Sequence, residues 1–191
     1  MSALILGLLL FLGVHSVRLL ADDWRTNTIT RIGGGPWKGM YSLLSVAGVV
    51  LIVWGYGLAR AAPELWSPPG WTRPVTSALT FFSFYLIAAA YTPRTRIRAM
   101  IGHPMVAGTM LWALAHLLSS SRASDVLLFG GFLVWAAFAF RSLRRRDRAA
   151  GKTLPPGTLK GDLTALVIGG AVWVAFGLWV HRWITGVPVF G

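Results

Sequence analysis

Apolar residues in this chain gather into six long runs, at about 3–20, 39–59, 74–92, 103–119, 125–141 and 163–184, with short polar stretches between them. Runs of that length, close to the ~20 residues a helix needs to cross a hydrocarbon core, predict an all-α membrane helix bundle of six transmembrane helices. Gly33-Gly34-Gly35-Pro36, Pro68-Pro69-Gly70 and Pro155-Pro156-Gly157 punctuate the connections and read as loops. The loops are too short for a separate domain, so residues 1–191 are expected to form a single transmembrane domain. The first run starts at residue 2 or 3, with almost no basic region before it and no A-x-A site after it. That is the pattern of a retained span and not of a cleaved leader.

Composition agrees: of 191 residues, 55% are apolar and 13% charged, and the mean hydropathy is +0.62. Soluble chains carry about 25% charged residues. The net charge of +12 would suggest nucleic acid if it formed one basic surface, but the charges sit between the apolar runs, where they orient a membrane protein and meet lipid headgroups. Nucleic acid is therefore excluded as a partner, and membrane lipids are expected. Six alternating spans put fourteen of the eighteen Lys and Arg on one face, leaving Arg60, Arg73, Arg122 and Arg182 on the other. The richer face should be cytoplasmic, with both termini periplasmic, in a bacterial inner membrane. Trp37, Trp66, Trp71 and Trp183 fall near the predicted span ends, where indole suits the headgroup zone. Glycines within the spans, Gly48, Gly55, Gly57, Gly130, Gly131, Gly169, Gly170 and Gly177, are expected to let helices approach closely.

Chemistry narrows to four histidines. Without cysteine the chain has no disulfide, thiolate-ligated haem or cysteine-held cluster. The six acids all fall at span ends or in loops, so no buried carboxylate is expected for a proton relay. No G-x-S-x-G or H-E-x-x-H occurs, and Gly151-Lys152-Thr153 lacks the upstream glycine of a phosphate loop. An imidazole inside a membrane is costly unless paired, and it is a common haem ligand. His15 lies inside the first span with Arg18 three residues on, on the same helical face, a pair suited to an iron and a haem propionate. His103 precedes Pro104 in a helix start, His116 follows Trp112 by one turn, and His181 lies at the end of the last span. By helical rise His15 sits ~5 Å to the cytoplasmic side of its span's middle and His116 ~8 Å to the periplasmic side. Depth alone pairs His15 with His103 and His116 with His181.

Gly7 to Arg18, Trp37-Lys38-Gly39-Met40-Tyr41-Ser42-Leu43, Trp54-Gly55-Tyr56-Gly57, Ala88-Ala89-Ala90-Tyr91, Gly102-His103-Pro104-Met105 and Leu111 to Leu117, in that order, resemble the NnrU family over about residues 3 to 141. The resemblance implies a bacterial inner-membrane protein associated with denitrification and nitric oxide metabolism. It also implies kinship with the plant 15-cis-ζ-carotene isomerase, a haem b enzyme, whose two iron-binding histidines correspond to His15 and His116. His103 matches the third histidine of the group and is the alternative ligand. The isomerase's redox-exchanged cysteine has no counterpart, since Ala113 occupies that neighbourhood. The leading expectation is thus a membrane protein binding haem b through His15, His116 and Arg18, its partner nitric oxide or a lipophilic small molecule. Two alternatives stand beside it. One is an isomerase or reductase of a polyene such as a cis-carotenoid, or of a quinone, admitted among Trp54, Phe81, Phe84 and Trp112. The other is a haem-free membrane assembly factor.

Overall fold

In the computed structural model, which describes residues 1–187 and 189, the chain is helical almost throughout. The elements are α1 (Ser2–Leu20), α2 (Asp22–Ile32), α3 (Gly34–Leu58) with a 3-10 turn over Ala59–Ala61, α4 (Thr72–Tyr91), α5 (Arg96–Ile101), α6 (Pro104–Ser119), α7 (Ala123–Ala149), α8 (Leu159–Ala175), a π segment over Phe176–Val180, and α9 (His181–Thr185). Among the described residues five helical segments are long and apolar enough to cross a bilayer: Ser2–Leu20, Gly34–Ala61, Thr72–Tyr91, Ala123–Ala149 and Leu159–Thr185. The sixth expected span, α6, has 16 residues, ~24 Å of rise against a core of ~30 Å. It is cut short at its start, where Gly102 turns the chain at φ 81° and His103 caps a helix with Pro104 in its first turn.

Three boundaries differ from the pattern reading. Gly34, Gly35 and Pro36 open α3 instead of forming a loop: Gly33, at φ 87°, makes the break alone, and Pro36 needs no N–H donor in a first turn. Residues 22–32 form a helix, with Asp22 and Asp23 in its first turn and Arg31 in its last, charges that complement the helix dipole. α7 continues to Ala149 and not to 141, since its arginine run is a good helix former that ends apolarity without ending the helix.

The packing order in space is α3, α1, α7, α6, α4, α8, each helix contacting the next. α1 and α3 run antiparallel with backbones nearly touching. A Cβ on Gly7 would stand 2.6 Å from Ile52 N, one on Gly48 would stand 2.9 Å from Phe11 Cβ, and one on Gly55 would strike the backbone of Leu4. Without water to drive association, close backbone approach is what holds such a pair. α4 and α6 meet the same way, with Ser83 Oγ donating to the Gly108 carbonyl at 2.8 Å. Leu4, Leu8, Ile52, Ala113, Leu128 and Phe129 form the main buried cluster where α1, α3, α6 and α7 converge. That cluster is the platform for the histidines.

Candidate functional site

The fold separates the four histidines into three places. His15, on α1, is half-buried against Phe11 (ring centroids 4.1 Å), Tyr41 (5.2 Å) of α3 and Trp135 (6.1 Å) of α7. Its Nδ1 lies 2.7 Å from the Phe11 carbonyl. A carbonyl only accepts, so Nδ1 carries the proton and the neutral ring has its lone pair on Nε2. The Trp135 indole N–H beside it is buried without a hydrogen-bond partner among the described residues. Arg18 is exposed in the last turn of α1, one turn beyond His15.

His116, on α6, repeats the arrangement: Nδ1 donates to the Trp112 carbonyl at 2.8 Å, and the ring stacks on Phe129 of α7 at 4.5 Å and 24°. Its histidine neighbour is His181, with ring centroids 6.5 Å apart and planes inclined by 30°. The π segment Phe176–Val180 leads directly into His181. Such a widened turn shifts the register of the residues after it. His181 Nδ1 stands 2.9 Å from the Val187 carbonyl, again as donor. The pairing of His116 with His181 is the one that depth alone favours.

His15 and His116 are not face to face. The ring path between them runs from His15 to Phe11, then to Phe132 (5.7 Å), Trp112 (5.5 Å) and His116 (5.1 Å). Their α7 contacts, Trp135 and Phe129, lie six residues apart, about 9 Å of helical rise. His103 joins neither. Its Nε2 is 3.0 Å from Asp147 Oδ2, a contact between the α5–α6 turn and the far end of α7 that is ionic when the ring is protonated.

Sequence reasoning placed every acid at the edge of a span and expected none buried; Asp125 corrects that. It occupies the first turn of α7 but is only 6% exposed, because the loop before α4 folds back over it. Leu65 N donates to the Ser121 carbonyl at 2.7 Å, and Arg122 pairs with Glu64 at 3.7 Å. The Tyr56 hydroxyl donates to Asp125 Oδ1 at 2.6 Å and Arg122 N to Oδ2 at 3.1 Å. The clue in the sequence was Trp54-Gly55-Tyr56-Gly57, which puts a phenol near a span end with a small residue on either side. Trp54, Phe81, Phe84 and Trp112 pack apart: Trp54 is 59% exposed on α3, Phe81 meets Trp173 and Phe84 meets Phe176, and Trp112 meets Phe129 and Phe132.

Among the described residues no group of three or more His, Cys, Asp or Glu could hold a metal ion, so a protein-only cage for zinc or non-haem iron has no donors here. Haem brings four nitrogens of its own and asks the protein for one or two axial ligands. Neutral imidazoles fixed through Nδ1–H to a carbonyl are the usual form of such a ligand. The donor chemistry of His15 and of His116 therefore fits a haem iron.

No curated protein and no solved structure matches the chain. The family described as NnrU protein matches residues 3–189, which takes the likeness through the last helix, well beyond residue 141. With nearly the whole chain covered, this apolar helical protein belongs to the NnrU family.

Proposed function

We propose that this chain is a haem b-binding protein of a bacterial inner membrane, acting in redox or nitric oxide metabolism, in which His116 and His15 would hold the iron. In this reading α6 also crosses the membrane, the arginine-rich face is cytoplasmic and both termini are periplasmic. The observation that carries it is the shared state of the two imidazoles: each is held by its own helix through Nδ1–H, which leaves Nε2 as a neutral donor in an aromatic interior. The unsatisfied Trp135 N–H beside His15 adds support, since a buried donor without a protein acceptor suits a place where a bound group supplies one. Haem bound there would supply one-electron chemistry, and its iron would take nitric oxide only where one of the two histidines leaves it. The chain's own part is to orient the rings, to keep water out with Phe11, Trp112, Phe129 and Phe132, and to offer Arg18 to a carboxylate. A single iron shared by His15 and His116 requires the ring path through Phe132 to open.

A second reading has its own observation. His116 and His181 are already near-parallel neighbours, so they form the ligand pair that needs the least rearrangement. Oxidised and reduced absorption spectra of protein purified from haem-replete cells, for wild type and each His→Ala variant, separate the two. Loss of the Soret band in His15→Ala and His116→Ala supports the first pair, and loss in His116→Ala and His181→Ala supports the second. A haem-free wild type overturns both. Co-purification with a reductase that survives replacement of all four histidines would then make the chain an assembly factor.

A further inference from the structure

At the end of the molecule opposite the His116–His181 pair, a cavity of about 360 Å³ opens between the α5–α6 turn, the last turns of α7 and the loop after it. That volume lies within the range of small-ligand sites, about 300–1,000 Å³. Its walls carry Arg144, Arg148 and Lys152 against one acid, Asp147. Asp147 is already engaged, at 3.3 Å by Lys152 Nζ and at 3.0 Å by His103 Nε2. Arg144 uses Nη1 to close the end of α5, donating to the Ile101 carbonyl at 3.1 Å, and a guanidinium has four further N–H donors. Among the described residues neither Arg144 nor Arg148 has a carboxylate within ion-pair distance. Two guanidinium charges thus face a concave space without a counter-ion.

The surroundings are shaped for that space. Gly102, at φ 81°, makes the turn that only glycine adopts freely, and a Cβ there would stand 3.4 Å from Arg144 Nη1. The guanidinium therefore lies in ordinary contact distance of the turn. Arg144 comes one turn after Arg141, the first charge beyond the apolar stretch of α7, so the cavity sits at headgroup depth. Ala99 and Leu154 complete its wall with apolar surface.

We infer that this cavity binds a single anionic phosphate group through Arg144 and Arg148, with the His103–Asp147–Lys152 cluster fixing the wall on which they stand. Paired guanidinium groups match phosphate oxygens in both charge and geometry. The phosphate arrives on an anionic phospholipid or free in solution, and one experiment distinguishes these sources. The full-length protein in detergent is incubated with phosphatidylglycerol, phosphatidylcholine or inorganic phosphate, and bound adducts are counted by native mass spectrometry alongside thermal midpoints. Arg148→Gln, an exposed position, tests the cavity, while Lys160→Gln makes the same charge change on the same face outside it.

The expected result is one tightly held phosphatidylglycerol per chain, weakened about tenfold in Arg148→Gln and unchanged in Lys160→Gln. Inorganic phosphate that raises the midpoint of wild type but not of Arg148→Gln, and displaces the lipid, assigns the site to free phosphate. Equal retention of phosphatidylglycerol and phosphatidylcholine, equal retention by wild type and Arg148→Gln, or equal weakening by Arg148→Gln and Lys160→Gln overturns the inference.

Discussion

Tyr56 and Asp125 show what a single hydroxyl does where water is scarce. Asp125 Oδ1 takes its hydrogen bond from Tyr56, and the carboxylate is nearly sealed from solvent. Tyr56→Phe keeps the ring packing and removes one donor, leaving a desolvated carboxylate oxygen unpaired at a cost of about 1–3 kcal/mol. Denaturant titration of the purified variant should show that loss, whereas Asp23→Asn, an acid in the first turn of α2 with no ion pair among the described residues, should change stability by less than about 0.5 kcal/mol. A neutral Tyr56→Phe would mean the carboxylate is hydrated in the folded protein. That His15 and His116 lie within helices and need a partner was legible from residue type and depth, because buried imidazole is expensive, and each has a backbone carbonyl for it. The helix start at Gly102-His103-Pro104 was equally plain, since positive φ and a missing N–H are properties of the residues themselves. The burial of Asp125 was not legible. It depends on a loop 60 residues away folding over the start of α7, and nothing local to Ser124-Asp125 announces that cover.

Helix contacts in this chain are decided by glycines, and which glycine matters depends on the face it occupies. Gly55 faces the Leu4 backbone, while Gly57, two residues on and rotated away, has nothing within 4 Å of where its Cβ would be. Gly55→Ala should therefore force α1 from α3 and destabilise by about 1–3 kcal/mol. Gly57→Ala should be neutral or stabilising by about 0.5–1 kcal/mol, through helix propensity alone. Thermal midpoints in one detergent, with the two variants side by side, check the contrast; equal effects would refute the close approach. Of the glycines expected from composition to mediate packing, Gly48, Gly55 and Gly169 do so, whereas Gly57 and Gly130 face open space. Gly7 and Gly108 make equally tight crossings that the sequence does not distinguish from other span glycines. Periodicity located the helices, but with apolar residues all round each helix there was no polar face to say which side meets protein and which meets lipid. The same absence explains the ends of α7: apolar content marks where the hydrocarbon stops, and the helix stops for another reason.

The molecule as a whole exposes 11514 Å², against roughly 9,000 Å² for a soluble chain of this mass. Leu9, Leu43, Val167, Phe138 and Trp183 are all more than two-thirds exposed, which in water would be an aggregating surface and in lipid is the natural outer face. The helix order carries one further consequence. If α6 crosses despite its 16 residues, the loops at Gly70 and Ser121 share one face and those at Arg98 and Thr153 the other. If α6 dips in and returns, Arg98 and Ser121 share a side. The absence of cysteine makes the test clean, since each single substitution is the sole thiol. Gly70→Cys and Ser121→Cys should react with a membrane-impermeant maleimide added to intact spheroplasts, and Arg98→Cys and Thr153→Cys only after permeabilisation. Labelling of Arg98→Cys and Ser121→Cys from the same side would reduce the crossings to five. It would also break the fourteen-to-four segregation of basic residues, because the first three spans would stay in place while α7 and α8 inverted, moving the Arg141–Arg148 run to the side of Arg60. The charge bias that orients membrane proteins therefore depends on α6, a helix about 6 Å shorter than the core it must cross. A short helix can cross by thinning the bilayer around it, at a cost of fractions of a kcal/mol per Å. That cost is small, whereas the five-crossing alternative places seven cationic side chains on the face that the positive-inside bias disfavours, so the six-crossing outcome is the one expected.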